Sequence, residues 1–298
     1  MGTHKPVTVK LVGGIGNQLF GYYAGLSLSK RLGESLRLDV TDSRMGRGVH
    51  KSSIEVLNLP GEFYSRAHDS SFVNQNFSRG TAWIKRRHPR LNLFSSEYVS
   101  PVVGFDGKIL EPNFSKRNIA GYFQSYRYHD LCSKASLKPE IQVPSSWFVE
   151  MLKRIKDSQV ISLHVRRGDY NSLSSSFGLL SDDYYLRALK IADEVVQDSE
   201  CWVFTDEIKE AKSMLSKFDK KIVFIDPPPS SDPAESLLLM SYAKANIIAN
   251  STFSWWSAKL NQNCQLVVAP SKWFRNMEDP LDLYPVNWVF EESSWIST

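Results

Sequence analysis

The chain has 298 residues, 23% charged and 42% hydrophobic, with a net charge of +4. That size suits two α/β halves better than one core, because single cores stop growing at roughly 250–300 residues. The composition excludes disordered, collagenous and disulfide-stapled chains, and the small positive balance suits an anionic substrate but not nucleic acid.

Met1 to Pro6 carries no apolar run. Neither a signal peptide nor a membrane anchor is expected, so the default location is the cytoplasm. Val7–Val12 alternates and then runs apolar, predicting a strand. Gly13-Gly14-Ile15-Gly16-Asn17-Gln18 follows, and then a helical pattern from Leu19 to Leu32 that stops at Gly33. Strand, glycine turn and helix in that order let backbone N–H groups approach an anion. The run matches neither GxGxxG nor the P-loop, and a tight turn needing small residues explains it equally well. The side-chain amides of Asn17 and Gln18 weigh toward a sugar hydroxyl.

Ser35–Val40 predicts a second strand, and residues 41–58 read as loop. Trp83–Leu93 (WIKRRHPRLNL) holds four Lys/Arg residues and a proline. It reads first as a solvated loop, with peripheral contact to an anionic membrane as the alternative. Asn118–Tyr128 predicts strand then turn, where Tyr122, Phe123 and Tyr126 either stack on a sugar or only pack. Pro139 and Pro144 mark a linker, dividing the chain into 1–143 and 144–298.

Beyond the linker, strands and helices alternate, the pattern of a parallel doubly wound sheet. Val160–Val165 is a buried strand that switches abruptly to Arg166, Arg167, Gly168, Asp169 and Tyr170. The Ser/Gly-rich stretch 171–180 reads as a loop over the site. Asp182–Val196 is an amphipathic helix, Trp202–Glu207 a strand with a polar end, and Ile208–Phe218 a helix. Ile222–Ile225 is a strand broken by Pro227-Pro228-Pro229. Leu237–Ala245 is helical, Asn246–Ala249 a strand, and Asn250–Trp256 opens another helix before the strand Gln265–Ala269. Cys132, Cys201 and Cys264 lie far apart without metal spacing, which suits buried thiols in a reducing compartment.

Three strand ends therefore carry polar clusters: His164–Asp169, Thr205–Glu207 and Asn250–Ser254. Ligands of open α/β sheets bind at the carboxyl ends of strands. Arginines grip phosphate oxygens in pairs, and a hydroxyl-rich helix start cradles phosphate. Together they describe a nucleotide site. No Asp recurs two positions after another Asp. The DxD pattern that holds a divalent metal in many nucleotide-sugar enzymes is thus missing, and Arg must offset a bound diphosphate.

HVRRGDY at 164–170, GGIGNQLF at 13–20, GYFQSYRYHD at 121–130 and NSTFSWWSAKLN at 250–261 together resemble the α-1,2-fucosyltransferases, glycosyltransferase family 11. The correspondence runs from Val9 to Phe274 and is weakest over 41–117, where the acceptor is expected to bind. Departures such as Ile15, Leu19 and Tyr242-Ala243-Lys244 are small. The resemblance implies a GT-B fold of two Rossmann-like domains facing a cleft. It implies GDP-fucose as donor substrate, a galactose-terminated oligosaccharide or glycolipid as acceptor, inversion, and no metal or other cofactor.

Carried onto this chain, the resemblance makes Arg166 the β-phosphate ligand, with Arg167 supporting the turn or sharing that contact. His164 faces the nucleotide, Asp206 accepts from guanine N–H groups, and Thr205 and Glu207 lie beside it. Ser251, Thr252, Phe253 and Ser254 line the phosphates. Gly14, Gly16 and Asn17 close over the fucosyl diphosphate, with Asn17 counted among the catalytic residues. Asp169 is either the base that deprotonates the acceptor or a brace for the arginine turn. An enzyme of this kind without an anchor is expected to decorate a surface glycan from the cytoplasm, at the inner membrane or near it. A different acceptor or linkage, and a binding protein that does not turn over nucleotide sugars, are the alternatives.

Overall fold

The computed structural model describes residues 5–41, 54–65, 96–132, 138–168, 177–216, 218 and 220–296. Asp169, Tyr170, most of the 171–180 loop and the basic stretch 83–93 lie outside them. The opening alternation becomes β1 (Val7–Lys10), which buries Val7 and Val9 on one face. Helix α1 (Ile15–Leu32) begins directly after Gly14, four residues before the apolar pattern at Leu19 suggests. Gly14 supplies the extended cap residue, and Ile15 and Gly16 already enter the core, so the glycine turn and the first helical turn are one piece. Gly33 closes the helix in the left-handed conformation (φ 65°), with its N–H returned to the Lys30 carbonyl.

The first sheet continues with β2 (Leu36–Asp39), β3 (Glu62–Tyr64), β4 (Glu97–Val99) and β5 (Asn118–Ala120), followed by α2 (Tyr126–Cys132). Its order among the described residues is β3-β2-β1-β5-β4, with every pairing parallel. A Cβ on Gly25 of α1 would lie 2.9 Å from Val9 Cγ1, so the helix backbone rests directly on the sheet.

The second half runs α3 (Ser146–Lys156), β6 (Val160–Val165), α4 (Asp182–Val195), β7 (Glu200–Thr205), α5 (Ile208–Leu215) and β8 (Ile222–Ile225). It ends with α6 (Pro233–Met240), β9 (Ala245–Ile247), α7 (Thr252–Lys259), β10 (Leu266–Pro270) and β11 (Val289–Glu291). The order is β11-β10-β9-β6-β7-β8, again parallel throughout. β6 is central and buried along its whole length. Ile161, Leu163 and Val165 pack with Val203, Ile247 and Tyr184, Tyr185 and Leu189 of α4. α6 starts earlier than the expected Leu237. After the proline run, Asp232 caps it by accepting from the Ala234 N–H (2.8 Å), and Pro233 fills the first helical position, where no N–H is needed.

The chain separates into two compact units, Met1–Pro139 with Pro280–Tyr284, and Glu140–Asp279 with Pro285–Thr298. A single cut at 143/144 assigns Pro280–Tyr284 to the second half, but these five residues pack with the first unit. There Phe105 N–H donates to the Leu281 carbonyl (3.2 Å) and Tyr126 N–H to the Asp282 carbonyl (3.0 Å). Arg127 pairs with Asp282 at 3.0 Å. Gly104 makes the approach feasible, since a Cβ there would stand 2.5 Å from the Leu281 backbone nitrogen. Backbone cannot give way as a side chain can. Gly104→Ala should therefore cost about 1–3 kcal/mol, read as a lower urea midpoint with faster hydrogen exchange at the Phe105 and Tyr126 amides.

Candidate functional site

In the second sheet the strand order reverses between β6 and β9. From β6 the chain adds β7 and β8 on one side, then returns to lay β9 on the other. The carboxyl ends at such a reversal splay apart, and open α/β sheets bind ligands there. Two of the polar clusters, His164–Gly168 and Asn250–Ser254, stand at these two ends. The third follows β7, the other neighbour of β6.

The arginine turn is organised by Asp206. One carboxylate oxygen pairs with Arg166 at 2.7 Å, and the other accepts from the Arg167 backbone N–H at 2.9 Å. Gly168 is required beneath it, because a Cβ there would lie 2.6 Å from Asp206 Oδ2. Both oxygens of the expected guanine acceptor thus already serve the turn. Thr205 Oγ1 accepts from the Glu207 N–H (3.0 Å), shaping the start of α5, and Glu207 is exposed.

Arg166 and Arg167 part company. Arg166 stays at the strand end with a side chain 22% exposed. Arg167 is buried, 3% exposed, and its guanidinium donates to the Leu180 carbonyl (2.5 Å) and to Asp182 (3.1 Å). Glu210 lies 3.5 Å from its Nε, and its charge sits over the Tyr185 ring at 5.5 Å. Of the two expected roles for Arg167, these bonds support bracing the turn and give its guanidinium no place on a ligand.

His164 is buried, and its Nδ1 lies 2.9 Å from Ser254 Oγ. Ser254 Oγ in turn donates to the Ser251 carbonyl (3.3 Å), which leaves it to accept the Nδ1 proton. The imidazole ring is 5.6 Å from that of Phe253. Burial first, and then the Arg166 charge, push the His164 pKa down from 6.5 to about 3. The ring is neutral at physiological pH, so it orders the β6 and α7 ends without adding charge.

Ser251 precedes α7 in extended conformation with no side chain capping the helix. The first-turn N–H groups at partly buried Thr252 and Phe253 therefore form the positive end of the helix dipole with no side chain capping it. Asn250 is structural, its amide donating to the carbonyls of Phe177, Gly178 and Trp273. Trp255 and Trp256 are fully buried core.

The first sheet has its own reversal, between β1 and β5. Gly13 adopts φ 72°, and Gly14 caps α1. Gly16 is buried in the helix. Gln18 is fully buried, donating to the Gly13 carbonyl (2.9 Å) and accepting from the Ile54 N–H (3.1 Å), so it holds the turn and is spent as a sugar ligand. Asn17 is half-buried and accepts from Gln124 Nε2 at 2.9 Å. In the sequence, Gln124 is one letter of a motif whose signal lies in its aromatics. Of those, Phe123 is fully buried and belongs to the core.

Among the described residues no cluster of three His, Cys, Asp or Glu could hold a metal ion, and no helix is long and apolar enough to cross a membrane. The sequence model described as Glycosyl transferase family 11 matches residues 92–292, more than half of the chain. The chain belongs to glycosyltransferase family 11. An Escherichia coli protein named alpha-1,2-colitosyltransferase is 29% identical to this family member over 95% of the chain and 98% of its own length. The O-antigen biosynthesis glycosyltransferase WbnK of Escherichia coli is 39% identical over 40% of each chain. Among solved structures, NodZ α-1,6-fucosyltransferase soaked with GDP-fucose superposes with a TM-score of 0.54 at 12% identity, over 90% of this chain and 96% of that one. NodZ comes from Bradyrhizobium. The likeness shows the GT-B fold expected of two parallel-sheet α/β units.

Two outcomes test the site as built. Arg167→Met keeps the volume but orphans the Leu180 carbonyl, and should cost about 1–3 kcal/mol in urea unfolding. For His164 the folded pKa lies below the unfolded one, so the unfolded state binds more protons between pH 6.5 and about 3. Stability is complete above that window and falls on acidification, by roughly 2 kcal/mol at pH 5. His164→Gln should flatten that part of the drop in urea midpoint between pH 7.5 and 5.0.

Proposed function

We propose that this family 11 enzyme moves L-fucose from GDP-β-L-fucose to O2 of a terminal β-galactoside in a surface glycan, with inversion and without a metal ion. One observation carries the reading: Arg166, oriented by Asp206, stands at the carboxyl end of β6, the strand whose His164 bonds Ser254 in the uncapped first turn of α7. A diphosphate would meet a guanidinium on one side and helical N–H groups on the other. The names of the colitosyltransferase and O-antigen relatives support a deoxysugar donor and a glycan acceptor.

The acceptor oxygen attacks C1 as the C1–O bond to the diphosphate breaks, and the electron pair leaves with the β-phosphate. Arg166 meets that growing negative charge, stabilising the transition state more than the ground state. Asp206 holds the guanidinium in place beforehand. Asp169, outside the described residues and next to Gly168 in the sequence, is the candidate base. Asn17, in the first turn of α1, is the candidate sugar contact that the family resemblance implies. Partners are the nucleotide sugar and the glycan, with no nucleic acid.

A second reading keeps the chemistry and changes the donor to GDP-colitose. It is favoured by the colitosyltransferase matching along 95% of the chain. Colitose is fucose without its 3-hydroxyl, so parallel assays with the two donors decide between the readings. GDP release from GDP-fucose should depend on lactose, survive EDTA, and fall about 10²–10³-fold in Arg166→Ala, with an α-1,2 linkage in the product by NMR. Donor binding with no release under any acceptor would instead make the chain a binding protein.

A further inference from the structure

At the β1/β5 reversal of the first sheet, the chain holds one amide in an unusual state. Gln124 is 6% exposed and donates its Nε2 to Asn17 Oδ1, yet its Oε1 is buried with no partner among the described residues. Native proteins pair nearly all buried polar atoms, and an orphan amide oxygen destabilises the fold that carries it. The backbone beside it is also strained. Phe123, a buried aromatic, takes φ 52°, a conformation that bulky side chains avoid.

That strained turn is fixed from several directions. Gln124 N–H donates to the Val103 carbonyl (2.7 Å) and Ser125 N–H to the Phe123 carbonyl (2.8 Å). A Cβ on Gly121 would come within 2.9 Å of Ser100 Cβ and 3.0 Å of the Phe123 ring, so only glycine admits the packing. On the other side of the pair, Asn17 Nδ2 lies over Gly13, where a Cβ would be 2.8 Å from it. A turn this constrained does not relax to satisfy its own amide oxygen. Nothing among the described residues satisfies that oxygen.

We propose that Gln124 and Asn17 together bind one hydroxyl of a sugar substrate, Gln124 Oε1 accepting the hydroxyl proton and Asn17 Nδ2 donating to the hydroxyl oxygen. The Gln124–Asn17 bond is what orients both amides, since it assigns one nitrogen and one oxygen to each other and leaves the opposite pair for the ligand. A neutral acceptor beside a neutral donor suits a polyol. An anion would be repelled by the amide oxygen, and a cation would find no counter-charge. The inference rests on the sugar-transfer reading above and adds Gln124 as a residue that touches the sugar.

The test compares the full-length wild type with Gln124→Met, which preserves side-chain length and deletes both amide atoms. Because the substitution removes a buried orphan along with one hydrogen bond, the melting temperature should stay level or rise. kcat/KM should nevertheless fall about tenfold to a hundredfold. A rise confined to the donor's KM places the hydroxyl on the transferred sugar, and one confined to the acceptor's KM places it on the glycan. With the matching deoxy analogue, wild type and variant should become equal. A kcat/KM within twofold of wild type, or a lower melting temperature accounting for all the missing activity, overturns the proposal while leaving sugar transfer standing. If the wild type transfers neither fucose nor colitose, the underlying reading fails instead. Saturation-transfer NMR with L-fucose and methyl β-galactoside then decides. A sugar signal present in the wild type and absent in Gln124→Met upholds the hydroxyl site, and no signal in the wild type removes it.

Discussion

The Asp206 carboxylate holds the Arg166 guanidinium with one oxygen and the Arg167 amide with the other, and the polar edge of the second unit is arranged around that pair of bonds. β6 delivers two consecutive arginines to a strand end buried on every side. Left alone, the first would wander and the turn after it would have no template. With the carboxylate in place, Arg166 keeps a defined position before any ligand arrives, and electrostatic stabilisation of a leaving group depends on such preorganisation. Gly168 completes the arrangement by leaving the carboxylate room.

Around that centre the protein separates charge from scaffolding. Arg167 is turned into the layer of α4 and α5, where carbonyl, carboxylates and a tyrosine ring absorb it. His164 is kept neutral by burial and by the neighbouring guanidinium. Among the described residues, the result is one partly exposed, carboxylate-held guanidinium and one helix start along the same sheet edge. A diphosphate is offered a narrow target.

Much of this is legible from residue order. A strand ending in HVRRGDY, a hydroxyl-rich helix start after another strand, and steady β/α alternation point to the doubly wound half and its binding edge. Other parts are not legible, for physical reasons. β3, β4 and β11 are three residues each, too short for any periodicity to register. α6 hides behind prolines because proline breaks helices in the middle and begins them at the front. The opposite fates of Arg166 and Arg167 follow from alternation along an extended chain, but which one faces the edge depends on where α4 and α5 pack. Gln124 gains meaning only from tertiary placement: a positive φ one residue earlier and an amide oxygen left alone cannot be read from letters. Asp169 stays with its sequence reading, since it lies outside the described residues.

The five residues Pro280–Tyr284 also set a schedule. The first unit lacks its Leu281 and Asp282 contacts until nearly the whole chain has been synthesised. A chain emerging from the ribosome can pair β1 to β5 early, but the loop carrying Gly104 and Phe105 waits for a segment more than a hundred residues downstream. Closure entropy rises only slowly with loop length, so the wait is set by synthesis: the segment is not available until most of the chain has left the ribosome. The N-terminal unit is therefore the first to be made and the last to be finished, and a protein shortened before residue 280 would lose a piece of the half whose main stretch it keeps.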